Sequence, residues 1–285
     1  MSGQNQEESL RAPRRIVICA DDFGMNSFVD QGILSLARLG RLGAASCMTL
    51  GPSFAGEARA LRETDVDVGL HFDLTETAAG WSGMPLSRLI GLAYLHRLDV
   101  GWVGERLDRQ LDAFERVLGG PPDYLDGHQH VHQLPCVLPC VLDALQRRYG
   151  ARAPWLRCTL PRRQPGVGIF NAFKAQVIGV LGGHALQRAV RQRGWRSNAR
   201  FLGVYSLSGG AAHYEALLRC WLEAAQDGDL MMCHPAAPAS PDMDDTLMRQ
   251  RAAEFEVLSH DDMPLWLRVQ GLRIERMSRI APLPA

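Results

Sequence analysis

Short apolar runs recur along this chain, and each is followed by a stretch of helical periodicity. That alternation constrains the fold more than any other feature, because strands separated by helices pair in parallel and are covered by those helices. Strands are predicted at residues 15–22, 44–50, 67–74, 124–128, 155–160, 201–207, 229–233 and 272–277. Helices are predicted at residues 26–40, 54–62, 104–118, 134–149, 166–193, 211–226 and 244–258. Pro139 should kink the fourth of these or delay its start. Residues 75–101 read as a long loop with a short helix at 86–93, and Trp81 and Trp102 suggest an ordered cover over a site. The expected architecture is α/β: a single distorted barrel of about seven or eight parallel strands, spanning residues 14–285 behind a disordered tail at residues 1–13.

A chain of 285 residues can bury a large core without disulfides. Its 31 basic and 31 acidic residues give zero formal net charge, so a nucleic-acid partner is not expected and a neutral or weakly charged substrate fits better. The seven cysteines are scattered, odd in number and form no C-x-x-C pair, which reads as buried thiols in a reducing compartment. Residues 1–13 show no apolar signal core, and the apolar stretch at 177–181 is too short to span a bilayer. A cytoplasmic protein with no membrane span is expected. No dinucleotide fingerprint, phosphate loop or serine-nucleophile elbow occurs.

The residues suited to chemistry sit at strand ends. Asp21 and Asp22 close the first strand, where two carboxylates repel unless a cation or a proton intervenes. Gly24 would permit the turn that brings both to the rim, while Asn26 and Ser27 are better placed to cap the following helix. His71 lies in the third strand, where it reads either as a hydrogen-bonded core residue or as a ligand. His128, His130 and His132 alternate with Gln129 and Val131, so in an extended strand they share one face. Three imidazoles on one face rarely serve packing, because buried ring nitrogens need partners. One of them, with His71 and an aspartate, would form a two-histidine, one-carboxylate metal site. The remaining histidines and Asp126, two residues from His128, would then orient ligands or touch substrate. His234 precedes Pro235, where a strand must stop, and suits acid/base work near neutral pH. In a barrel, such strand ends meet at the C-terminal face.

Together the motifs ADDFG (20–24), GLHFDLT (69–75), LDGHQHVH (125–132) and CHPA (233–236) resemble those of the YdjC-like carbohydrate deacetylases, the ChbG/HpnK group. The resemblance runs from about residue 14 to residue 280. It implies a distorted α/β barrel and a divalent-metal hydrolase that removes acetate from N-acetylated amino sugars. By the same resemblance Asp22, His71 and His128 are the metal ligands, Asp21 is the catalytic base, and His234 is the acid that assists the leaving amine. The roles of His130 and His132 are not settled by it. One divalent ion is implied, Mg2+ by the family pattern, with Zn2+ or another transition metal also allowed. The H-[ST]-x-x-H pair of the polysaccharide deacetylases is absent, which supports the YdjC-like branch and speaks against a polymer, leaving a soluble N-acetylglucosamine oligosaccharide and a lipid-linked amino sugar both open. Segment 170–186 reads as core packing or as a contact for a lipid-linked glycan, and a homodimer is allowed. The rival readings are a metal-dependent phosphoesterase on a similar barrel and a non-catalytic sugar- or metal-binding relative.

Overall fold

The computed structural model describes residues 12–76, 82–238 and 246–280. Most of the expected N-terminal tail, and Trp81, lie outside the described residues. Eight strands carry the sheet: β1 (Arg14–Phe23), β2 (Ala44–Cys47), β3 (Asp67–Phe72), β4 (Tyr124–Gly127), β5 (Trp155–Leu156), β6 (Phe201–Leu202), β7 (Asp229–Cys233) and β8 (Leu272–Ile274). All pairings are parallel, in the order β5-β4-β3-β2-β1-β7-β6. The short β8 pairs with Arg14–Ile16, at the start of β1. The two ends of this order meet through isolated bridges, Leu156 to Ser197 and Pro161 to Phe201. The ring is therefore a distorted barrel whose closing seam is loop rather than regular strand.

Ten helices cover it among the described residues: α1 (Ser27–Arg38), α2 (Phe54–Arg62), α3 (Leu86–Tyr94), α4 (Val100–Leu118), α5 (Val137–Tyr149), α6 (Ile169–Ile178), α7 (His184–Gln192), α8 (Gly210–Ala224), α9 (Thr246–Ser259) and α10 (Met263–Val269). Their starts follow local chemistry. The Asn26 side chain accepts from the amides of Phe28 and Val29 and caps α1. Asp99 does the same for α4, which begins four residues earlier than the sequence pattern predicts. The supposed loop at 75–101 thus contains all of α3 and the first residues of α4. Pro139 falls in the first turn of α5, where its missing N–H costs nothing, and the helix starts at Val137 instead of 134. The helical stretch predicted at 166–193 is two helices broken by a wide turn at Gly179–Gly183. All seven cysteines are free thiols, and Cys136, Cys140 and Cys220 are only partly buried.

Strand alternation separates two apolar regions. Ile16, Ile18, Leu70, Leu125 and Leu156 face outward under the helices. Val17, Cys19, Ala44, Tyr124, Trp155, Leu230 and Met232 fill the interior. The same inward phase, continued to the strand tips, delivers Asp21, His71, Asp126 and His234 to the C-terminal rim. Gly69 keeps the interior compact at β3: a Cβ there would stand 2.4 Å from the ring of Tyr124, which stacks on Trp155 with centroids 4.0 Å apart. Gly69→Ala should therefore destabilise the fold by about 1–3 kcal/mol through overpacking. A denaturant midpoint equal to that of the parent would contradict this account of the interior.

Candidate active site

Asp21 follows the strand phase inward, but its neighbour Asp22 would by that rule point outward. The backbone at Asp22 takes φ 74°, in the left-handed region, and the β1–β2 register shifts between Ala20 and Phe23. That irregularity turns Asp22 back over the rim beside Asp21, in a backbone conformation strained for a non-glycine residue. The turn expected at Gly24 thus begins two residues earlier. Gly24 is also left-handed, with φ 96°.

Asp22 Oδ1 lies 3.3 Å from His71 Nε2 and 3.0 Å from His128 Nδ1. Ligating atoms of these three residues all lie within 4.8 Å of one another, on one carboxylate and two imidazoles. His71 Nδ1 is held at 2.6 Å by Asp126 Oδ1, which turns Nε2 toward Asp22. Asp126 therefore serves His71, its register partner across the β3–β4 pair, and not the nearby His128. The donor set and its spacing fit a divalent cation.

The charges of the protein alone are tightly matched here. Burial works against a charge on His71, yet Asp126, Asp21 and a hydrogen bond to Asp22 outweigh it and push its pKa up to about 10. Burial likewise opposes charge on His128, and Asp22 and Glu76 raise it to about 9. Glu76 Oε1 stands 3.5 Å from His128 Nε2 at the pocket mouth. Burial would raise the Asp22 carboxyl, but Arg251 and His128 hold it well below the usual range.

The three histidines of the LDGHQHVH stretch do not share a strand face. The strand ends at Gly127, and residues 128–133 form a 3-10 turn in which Gln129 and His130 have φ of 51° and 62°. Only His128 reaches Asp22. His130 lines the pocket with its ring edge-on to Phe201, and burial pushes its pKa well down. His132 donates through Nε2 to the carbonyl of Arg157 at 2.9 Å, with burial lowering its pKa to about 4. It ties the turn to the segment after β5 and does not line the pocket.

Two arginines escaped the sequence reading. Arg157 is fully buried and spans the barrel interior: Nη1 reaches Asp21 at 2.7 Å, and Nη2 reaches Asp21 at 2.5 Å and Asp126 at 2.6 Å. Burial would raise the Asp21 carboxyl, but this guanidinium holds it ionised far below its ordinary range. Cys19 also touches Arg157 Nη2, at 2.9 Å, and burial keeps its thiol protonated, with the pKa up to about 12. Cys19, Asp21 and Asp126 thus form a cradle for the arginine. Arg251, from α9, binds Asp22 Oδ2 at 2.5 Å, while its Nε and Nη1 have no hydrogen-bond partner among the described residues. The one hint of Arg157 in the sequence is an arginine inside the apolar run WLRCTL, since a buried arginine implies a buried acid.

His234 continues the inward phase of β7. Its Nε2 is 4.0 Å from Asp21 Oδ2, and its backbone N–H donates to Glu254 at 2.6 Å. Burial lowers the His234 pKa to about 4, so it rests neutral. Asp21, Asp22, His71, His128, His130 and His234 line one pocket of about 440 Å³. Its upper walls are aliphatic, with Leu86, Ile90, Leu181 and Leu207.

Arg157→Met should cost about 3–5 kcal/mol of stability, because it strands two buried carboxylates. The sign with pH follows from Asp21, whose depressed pKa contributes stability above the unfolded value of 3.8 and loses it on acidification. The gap between parent and variant should therefore narrow as pH falls through that value. A gap that widens in acid would show that Arg157 does not neutralise these groups.

Comparison with known proteins now adds to the geometry. The model of the family described as YdjC-like protein matches residues 15–269. A human carbohydrate deacetylase is 29% identical, over 81% of this chain and 78% of the human protein. A Klebsiella pneumoniae chitooligosaccharide deacetylase is 25% identical, over 92% of this chain and 97% of its own. Among solved structures, an Enterococcus faecalis protein provisionally named for cellobiose-phosphate cleavage superposes with a TM-score of 0.65 at 19% identity, covering 93% of this chain and 98% of that one. A family 4 carbohydrate esterase from Streptomyces lividans does so with a TM-score of 0.50 at 10% identity, covering 96% and 98%. These two support the fold. With the family model spanning all but the two ends, the chain belongs to the YdjC-like family.

Proposed function

We propose that the chain is a metal-dependent carbohydrate deacetylase that hydrolyses the acetamide of an N-acetylated amino sugar of the N-acetylglucosamine type. The observation that carries the reading is the placing of Asp22, His71 and His128 around one point, with Asp21 and His234 beside it in the same pocket. The names of the curated relatives supply the substrate class.

Asp22 Oδ1, His71 Nε2 and His128 Nδ1 would hold the cation. Two imidazoles and a carboxylate suit Zn2+ or another transition ion better than Mg2+, which keeps mostly to oxygen ligands. When bound, such an ion supplies Lewis-acid polarisation of a carbonyl and acidification of water. Asp21, ionised through its pairing with Arg157, accepts a proton from the attacking water. Its low pKa makes it a weak base, so it depends on an acidified water. His234 rests neutral, and the proton it gives the leaving amine must first reach it. The nearest source is Asp21, 4.0 Å away, so the proton taken from water can be returned to nitrogen with none borrowed from solvent. The aliphatic upper walls favour an amino sugar carrying an apolar group over a long polar oligosaccharide.

The phosphoesterase rival needs more than one metal. The second cluster of potential ligands among the described residues, Cys19, Asp21 and Asp126, already surrounds the Arg157 guanidinium. Asp21 and His234 side by side in the pocket speak against the non-catalytic rival, and acetate release decides it.

Acetate release should be measured on free, oligomeric and lipid-linked N-acetylglucosamine compounds. Asp21→Asn should lower turnover by about 10²–10⁴-fold while metal content stays that of the parent. His71→Gln should lose both metal and activity. Full turnover in Asp21→Asn would remove the base assignment, and full metal occupancy in His71→Gln would remove the proposed ligand set.

A further inference from the structure

Helix α6 is amphipathic the wrong way round. Ile169, Phe170 and Phe173 are 91%, 70% and 66% exposed, and Val180, just past its end, is 68% exposed. Val177 is exposed as well. At about 100° per residue, the four helix residues fall within one arc of roughly 100°. The face turned to the protein instead carries Asn171, Ala172 and Ala175, of which Asn171 and Ala175 are buried. An ordinary surface helix has the opposite arrangement. The sequence offered core packing or contact with a lipid-linked glycan for residues 170–186; Leu186 is buried in the core, while Phe170, Phe173, Val177 and Val180 are exposed.

The charge of the sequence around this helix is equally lopsided. From residue 144 to residue 214 there is no aspartate or glutamate, and there are twelve basic residues. Zero net charge for the whole chain conceals this block. Arg147, Arg148, Arg157 and Arg162 are matched by carboxylates from elsewhere in the fold. Arg163, Arg188, Arg191, Arg193 and Arg196 are exposed and have no carboxylate partner among the described residues. A lone apolar patch would fit a protein partner as well as a lipid. An apolar stripe followed along the chain by unpaired arginines fits a surface that is oily beneath and negative on top.

The stripe is also continuous with the catalytic pocket. Lys174, the chain's only lysine, lies on α6 and lines that pocket, with its ammonium donating to the Tyr205 carbonyl at 2.8 Å. Ile178 and Leu181 line the pocket from the end of the same segment. One element thus presents an apolar face to solvent and a wall to the site.

We infer that the outward face of α6, with the arginines that follow it in α7 and beyond, is a docking surface for an anionic lipid bilayer. The docked face holds the mouth of the pocket against the membrane, so that a substrate anchored there is reached without full extraction into water. The docking stands on exposed residues and charge, and does not depend on the reaction proposed for the pocket.

The test is sedimentation of the full chain with vesicles of phosphatidylcholine alone or phosphatidylcholine mixed with phosphatidylglycerol. Binding should appear with the anionic vesicles and weaken as salt rises. Joint Phe170→Ser and Phe173→Ser substitution should reduce partition on the order of tenfold or more. Arg188→Gln and Arg191→Gln should each reduce it about fivefold. These exposed positions lie outside the reacting set, so the variants should melt like the parent and keep its activity, if any, on a small water-soluble N-acetylated sugar. Absence of vesicle binding by the parent, or binding indifferent to Phe170 and Phe173, overturns the inference. So does a concentration-dependent dimer that the phenylalanine substitutions dissolve while vesicles bind nothing, for the face then belongs to a second copy of the chain. Loss of activity by the parent on every acetylated sugar, with vesicle binding intact, would sink the proposed reaction and leave the docking surface standing.

Discussion

The pairing of Arg157 with Asp21 and Asp126 is the constraint on which the site depends. Three carboxylates, Asp21, Asp22 and Asp126, are buried within a few ångströms of one another. In a low-dielectric interior that arrangement is untenable without compensating charge. Arg157 meets two of the acids from inside the barrel, and Arg251 meets Asp22 from the helical layer. Asp126, fixed by Arg157 and by the Ser46 hydroxyl at 2.6 Å, can then hold His71 in a single orientation. With neither arginine, the acids would take up protons. The imidazoles would then lose the charges that set their tautomers, and Asp21 would lose the charge it carries in the pocket.

The same electrostatics explain how one site can exist with and without a cation. On the protein's charges alone, His71 and His128 retain protons at neutral pH because the surrounding acids outweigh the cost of burial. A divalent ion at their inner nitrogens would displace two protons and bring two positive charges, leaving the local total unchanged. No rearrangement of the surrounding acids and arginines is required. The site is accordingly preorganised by groups that do not ligate.

Much of this was legible in the sequence because strand periodicity is a strong signal. The βα order, Asp21, His71 and His234 all follow from alternation continued to the strand tips. What the sequence did not disclose depends on departures from that rule or on pairing across strands. Asp22 reaches the rim only through its left-handed backbone, and the turn after Gly127 uses two positive-φ residues, Gln129 and His130, neither of which is glycine. No periodicity rule flags either, so three histidines that look collinear are sent to three different neighbours. Asp126 was read as orienting a ligand or touching substrate, and proximity in sequence pointed to His128, whereas the β3–β4 register sets it opposite His71. The acid-free block from 144 to 214 was readable from composition, but averaging charge over the whole chain erased it.

Helix α9 adds a second tier to the strand-borne groups. Arg251 and Glu254 are three residues apart and so lie on one helical face. The first binds the carboxylate of Asp22, and the second accepts the backbone N–H of His234 and the hydroxyl of Tyr205. Glu254 is fully enclosed, and burial raises its pKa to about 7. The helix therefore grips both flanks of the site, Asp22 through a charge pair and His234 through its peptide group. The β1–β7 register, with Ala20 opposite Cys233, sets how far apart the two strand tips stand, and this helix buttresses both.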